Sequence, residues 1–188
     1  VNMAGNCIVD DEAVCEASRQ EIIRRYYAAL CSRRKGNCGD SIIYKLELLM
    51  KQAGVVPVDR PVVRPALEKA KATGDPAAAM ELPDGTILTG RTSELLGPSS
   101  ALLLNALKAL GGIEDEIHLI SPTIIEPIQK LKVGSLGNKN PRLHTDEVLI
   151  ALSICGATDP MAARAMEQIP KLRGCEAHST VILSPVDE

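Results

Sequence analysis

The chain contains neither phenylalanine nor tryptophan, and its only aromatic side chains are Tyr26, Tyr27 and Tyr44. Without flat apolar rings there is no platform on which successive bases can stack, which argues against a reader of single-stranded nucleic acid. Charge argues the same way. A net charge of -3 and a pI near 5.7 give no general attraction to phosphate backbones or anionic lipid. No apolar run approaches the roughly 20 residues of a membrane-spanning helix, and no basic-then-apolar secretory signal opens the chain. The expected setting is cytoplasmic, with neither membrane nor nucleic acid as partner. Six cysteines, at positions 7, 15, 31, 38, 155 and 175, are too dispersed for a zinc ribbon. So apolar a chain does not need a disulfide framework either, and they read as reduced thiols.

What remains is a globular composition, 45% hydrophobic and 24% charged over 188 residues, with a core of Leu, Ile, Val, Ala and Met. That length suits two modest units. Over residues 10–34 apolar positions recur at helical spacing, acidic at the start and basic at the end as the helix dipole favours. Gly36 and Gly39 break this helix, and Asp40 caps a second one that stops at Gly54. Pro57, Pro61 and Pro65 make the next stretch extended or turning, before a short helix at about 66–73 ends at Gly74-Asp75-Pro76. Residues 1–75 are thus expected to form a helical hairpin subdomain, and residues 76–188 a second subdomain.

In that second part, two short strands (78–82 and 86–90) flank a Pro83-Asp84-Gly85 turn. Pro98 opens an apolar helix over 99–110 that Gly111-Gly112 terminates. A buried strand is expected at 116–120, and Ser121-Pro122 caps a further helix that fades at Gly134. A polar loop at 137–142 then leads to helices at 144–154 and 160–168, and a strand at 175–183 closes the chain. The order predicts an α/β (α+β) fold: a helical hairpin followed by a mixed sheet covered by helices, a three-layer sandwich.

The runs ELPDGTILTGRTS (81–93), HLISP (118–122), GNKNPRLHTDE (137–147) and RGCEAHST (173–180) closely resemble the bacterial family of unknown function numbered 1846, also called UPF0371. VNMAGNC (1–7) and EIIRRYY (21–27) look like the same family, so the resemblance covers nearly the whole chain; residues 31–58 depart most from the pattern. The resemblance implies a longer protein of which this is the C-terminal part, and the start at Val1 without an initiator Met reads the same way. The missing N-terminal half is then a partner, and it carries a glycine-rich, phosphate-loop-like segment absent here. No activity is implied. From Asp84 onward the order also resembles the topology of a cytidine-deaminase-like sandwich. Zinc deaminases need His or Cys ligands at two helix starts, where this chain has Pro98-Ser99-Ser100-Ala101 and Pro122-Thr123-Ile124-Ile125. The expectation is that fold plan with no zinc motif.

The densest polar cluster is Asn138, Lys139, Arg142, His144, Asp146 and Glu147, at a loop-to-helix junction. Cations, an imidazole and two carboxylates there can bind an anion and move a proton; alternatively His144 or Thr145 caps a helix whose acidic first turn suits its dipole. Arg91 and Thr92 lie before, and Ser99 and Ser100 after, a Gly-Pro turn that could cradle a phosphate, or simply form a capped helix start. His178 and Ser179 on the last strand could face a cleft or the core. Cys175 and His178, three apart on a strand, point to opposite faces and cannot easily share a metal. Ser121 reads as a cap, and Asn2 and Asn6 as loop amides.

Three functions follow: a ligand-binding and assembly module holding a small nucleotide- or phosphate-type anion at Arg142, Lys139 and His144; a hydrolase or transferase with Asp146 or Glu147 as base and His144 or His178 as acid; and a structural oligomerisation domain, the hairpin making a homo-oligomer contact. The residues name no cofactor. If Arg142, His144 and His178 meet in one cleft, a site is expected; if they lie on different faces, the structural reading is.

Overall fold

The acidic start and basic end of the first periodic stretch become one 24-residue helix, α1 (Asp11–Arg34), in the computed structural model, which describes residues 10–37 and 39–187. The Asp10 carboxylate caps it, accepting from Ala13 N at 2.9 Å. α2 (Asp40–Ala53) ends at Gly54, whose φ of 68° is the left-handed geometry that closes a helix without a Cβ penalty. Ala29, Ile43 and Leu46 are buried between the two helices, with Tyr26 and Leu30 against them. Ile42, Tyr44, Leu48 and Leu49 are exposed on α2. On α1, Arg24 and Arg25 bond the Glu21 carboxyl and push it down to about 2. The three side chains are largely exposed, so the pairing adds little stability.

Compactness divides the chain into residues 1–61 and 62–188. In the second unit α3 (Val63–Thr73), which precedes the boundary expected at 75/76, packs on the sheet: Val62, Ala66 and Ala79 form one buried cluster with Ile87 against it. β1 (Ala77–Glu81) and β2 (Ile87–Arg91) pair antiparallel, joined by the turn read from the sequence. Asp84 accepts from Thr86 N at 2.9 Å and Gly85 has a φ of 82°, a local arrangement that reverses the chain in few residues. β3 (Glu176–Ser179) adds antiparallel to the other edge of β1, giving the order β2-β1-β3. Ala77, Ala78 and Ala79 are all buried although successive residues face opposite sides, so both faces of the central strand are covered.

Two expectations are corrected. The sheet is antiparallel throughout its three described strands, not mixed. Residues 116–120 form no strand, because Ile117 N bonds Glu114 O at 3.1 Å and closes a turn. Leu119 and Ile120 still reach the core from that turn; apolarity called for burial, and burial needed no ladder.

The main core lies around α4 (Pro98–Gly111), whose Leu103 and Leu107 join Ile125 of α5 (Pro122–Lys130), Val148 and Leu152 of α6 (Thr145–Cys155), and Ala162 and Ala165 of α7 (Pro160–Met166). Ser121 caps α5 as its hydroxyl accepts from Thr123 N, and Asp159 caps α7 through Met161 N. A π-helical turn, Leu131–Ser135, follows α5. No described helix is long and apolar enough to cross a membrane. Asn2 and Asn6 lie outside the described residues.

Candidate functional site

Leu143 organises the site. Wholly buried, it makes a short parallel bridge with Leu96: Leu143 N donates to Leu95 O at 2.9 Å and Gly97 N to Leu143 O at 3.3 Å. The buried Ser100 hydroxyl donates to the same Leu143 carbonyl at 2.9 Å, pinning this segment to the start of α4. In extended backbone the neighbours of an inward side chain face the other way. Arg142 and His144 accordingly line a cleft of about 280 Å³, with Asp75, Thr92 and Asn140, and with residues 181–184 and Asp187 as another wall. Asp75, Thr92 and Arg142 also line an adjoining cleft of about 420 Å³, which includes Arg91, Ser93 and Glu94.

The positions of Arg142 and His144 are set by bonds that sequence reasoning did not anticipate. Arg142 Nε donates to Ser93 O at 2.6 Å. His144 Nδ1 is 2.7 Å from an Asp187 oxygen that also accepts from the Ser184 hydroxyl, while the other Asp187 oxygen accepts from both the amide and hydroxyl of Thr145. Burial would raise the Asp187 carboxyl, but the hydrogen bonds from His144, Thr145 and Ser184 outweigh it and hold it below the usual aspartate range. With the Asp187 carboxylate as acceptor, Nδ1 donates, which fixes the orientation of the ring and leaves Nε2 for other contacts. The only signal for Asp187 in the sequence is an acidic residue just after an apolar run.

Lys132 is the second residue the sequence concealed. Only 3% exposed, its ammonium donates to Arg142 O at 2.8 Å and to Glu147 Oε2 at 2.7 Å. The same Glu147 oxygen accepts from His144 N at 2.8 Å, so this carboxylate ties the turn after α5 to the start of α6. A lysine in the fading turn after an amphipathic helix looks like any solvated cation until its surroundings are known.

The other predicted residues are placed as follows. Asp146 is exposed at the start of α6 and accepts from Glu147 N. Asn138 and Lys139 are exposed in the polar loop and line neither cleft. The buried Thr92 hydroxyl donates to Pro76 O at 2.9 Å, and exposed Arg91 lines the larger cleft. The Ser99 hydroxyl is buried with no hydrogen-bond partner. His178 and Ser179 sit opposite Ala79 and Ala78 in the sheet and line neither cleft. The structure thus brings Arg142 and His144 together with Thr92, and leaves His178 out. Cys175 contacts Lys171 O at 3.7 Å, and burial first, then Glu81, pushes its thiol up. Among the described residues no three His, Cys, Asp or Glu side chains are grouped to hold a metal.

Asp187 offers a test by pH. A carboxylate whose pKa is lower folded than unfolded stabilises the fold above its unfolded value, near about 3.9, and that contribution is lost as pH falls through the folded value. Asp187→Asn is therefore expected to lower the melting temperature by several degrees at neutral pH, with the gap to wild type closing below about pH 4. Thermal melts over a pH series check this; a gap that stays constant into acid means Asp187 contributes nothing through its charge.

The sequence matches two family models, "Domain of unknown function DUF1846, C-terminal" over residues 58–188 and "Domain of unknown function DUF1846, N-terminal" over residues 1–54. Its relatives include UPF0371 proteins of Corynebacterium aurimucosum, 56% identical, Corynebacterium urealyticum, 54% identical, and Streptococcus pneumoniae serotype 19F, 51% identical. Each match covers all 188 residues of this chain and 38% of the relative's length.

Proposed function

From the premise that this chain belongs to the bacterial DUF1846 family, whose function is unknown, we propose that residues 62–188 are the ligand-binding part of a longer protein and hold a small molecule by an anionic group at Arg142 and His144. The observation that carries this is the pair's shared position on either side of buried Leu143, lining one cleft. Arg142 is anchored through Nε, which leaves its two terminal amino groups to fork an anion. His144 is oriented by Asp187 and can add a hydrogen bond or a proton. The arrangement favours binding over hydrolysis or group transfer, since of the two candidate bases Glu147 is already bonded to Lys132 and to His144 N, and Asp146 is exposed and lines neither cleft. Deaminase chemistry has no place in this reading, as neither Pro98-Ser99-Ser100 nor Pro122-Thr123 offers a zinc ligand.

A second, structural reading rests on the exposed Ile42, Tyr44, Leu48 and Leu49 of α2, which would suit an assembly contact. One set of measurements separates the two. Inorganic phosphate, sugar phosphates and simple carboxylates are titrated against the protein in thermal melts, because a ligand at 100 times its Kd stabilises the native state by about 2.7 kcal/mol. The binding reading expects at least one anion to raise the melting temperature by several degrees, and Arg142→Gln to weaken that response at least tenfold. If no anion shifts the melt while sedimentation finds a self-associated species that Leu49→Glu dissolves, the structural reading replaces it.

A further inference from the structure

The two adjoining clefts share Asp75, Thr92 and Arg142. Asp75 is half-buried and firmly placed: its amide bonds the Thr73 hydroxyl, and the next carbonyl, that of Pro76, accepts from both the amide and hydroxyl of Thr92. Asp75 and Arg142 therefore line the same walls with opposite charges. Yet no ion pair joins them, and among the described residues no cation lies within 4.0 Å of the Asp75 carboxylate. Two opposite charges that share the lining of a cleft without neutralising one another are a template for a molecule carrying both signs.

The remaining charges narrow the class. Asp187 also faces the smaller cleft, but its oxygens are taken up by His144, Thr145 and Ser184. In the larger cleft Arg91 and Glu94 are exposed and keep their hydration. The joint lining is thus close to neutral, with acidic and basic groups interleaved, unlike the cationic wall that a nucleoside triphosphate or other polyanion needs. A polyanion would set several negative charges beside Asp75. The volumes, about 280 and 420 Å³, lie just below and in the lower part of the roughly 300–1,000 Å³ of ligand sites, which suits a small molecule.

Building on the ligand site described above, we infer that its occupant is a small zwitterion, an amino acid or aminoalkyl phosphate, with its ammonium on Asp75 and its single anionic group on Arg142. Matched pairs differing chiefly in the amine test this by titration calorimetry: phosphoethanolamine against ethyl phosphate, and alanine against propionate. The member bearing the amine is expected to bind at least tenfold more tightly. Asp75→Asn is expected to abolish that preference and to strengthen ethyl phosphate, since a like charge has been removed, whereas Asp75→Glu keeps the preference. Equal binding within each pair, or a preference that survives Asp75→Asn, overturns the zwitterion assignment and leaves the anion site standing. Binding of every probe that is indifferent to Arg142→Gln overturns the anion site itself, and binding of no probe at all overturns both.

Discussion

Gly90→Ala is expected to destabilise the second unit by about 3 kcal/mol or more, at or beyond the upper end of overpacking costs. A Cβ on Gly90 would stand 2.3 Å from Leu102 N and 2.6 Å from Leu102 Cα, closer than any real contact. Both are backbone atoms of α4, so no rotamer change relieves the clash and the helix must move off β2 as a body. That movement opens the layer in which Leu103 and Leu107 are buried. Urea unfolding followed by circular dichroism measures the loss, with Gly85→Ala as the comparison: Gly85 has a φ of 82° but nothing within 4 Å of its Cβ position, so only local strain of roughly 1–2 kcal/mol applies. If Gly90→Ala costs no more than Gly85→Ala, the close approach of strand and helix is wrong.

Glu147→Ala is expected to cost about 3 kcal/mol, and Lys132→Met distinctly less. The two residues form one ion pair, but their surroundings differ, with side chains 4% exposed for Lys132 and 27% for Glu147. Removing the carboxylate strands an ammonium inside the protein and deprives the His144 amide of its acceptor. Removing the ammonium leaves a carboxylate that water can partly reach, and methionine fills the space with apolar surface. Unfolding free energies of the two variants check the order, and a reversed order means the charge is not as sequestered as its exposure indicates. Glu147→Ala should also weaken ligand binding, because the same carboxylate fixes the segment that presents Arg142 and His144.

The helix ends and the β1–β2 turn were legible in the sequence, while the site was legible only in part. Arg142 and His144 stand out in a polar loop before a helix, and their meeting in one cleft follows from their spacing on either side of an apolar residue, Leu143. Their partners do not stand out. Asp187 reaches His144 across 43 positions and Ser93 reaches Arg142 across 49, and nothing in the residues around either partner points to so distant a contact. His178 belonged to an equally polar run, yet it is paired with Ala79 in the sheet and lines neither cleft.

By itself the sequence determined the features whose partners lie within a few residues: the caps at Asp10, Ser121 and Asp159, the stop at Gly54, and the reversal at Asp84-Gly85. Those depend on local backbone geometry and on side chains that reach only their own turn. Tertiary structure alone decided the strand order β2-β1-β3, the turn at 116–120, the burial of Lys132 and the use of Asp187 as an anchor for His144. The strand order, the buried lysine and the Asp187 anchor join segments far apart along the chain, and the local turn at 116–120 is favoured over a strand because it delivers Leu119 and Ile120 to the core. The free energy of each depends on which groups the folded path brings together and removes from water, a property of the whole core and not of any short run of residues.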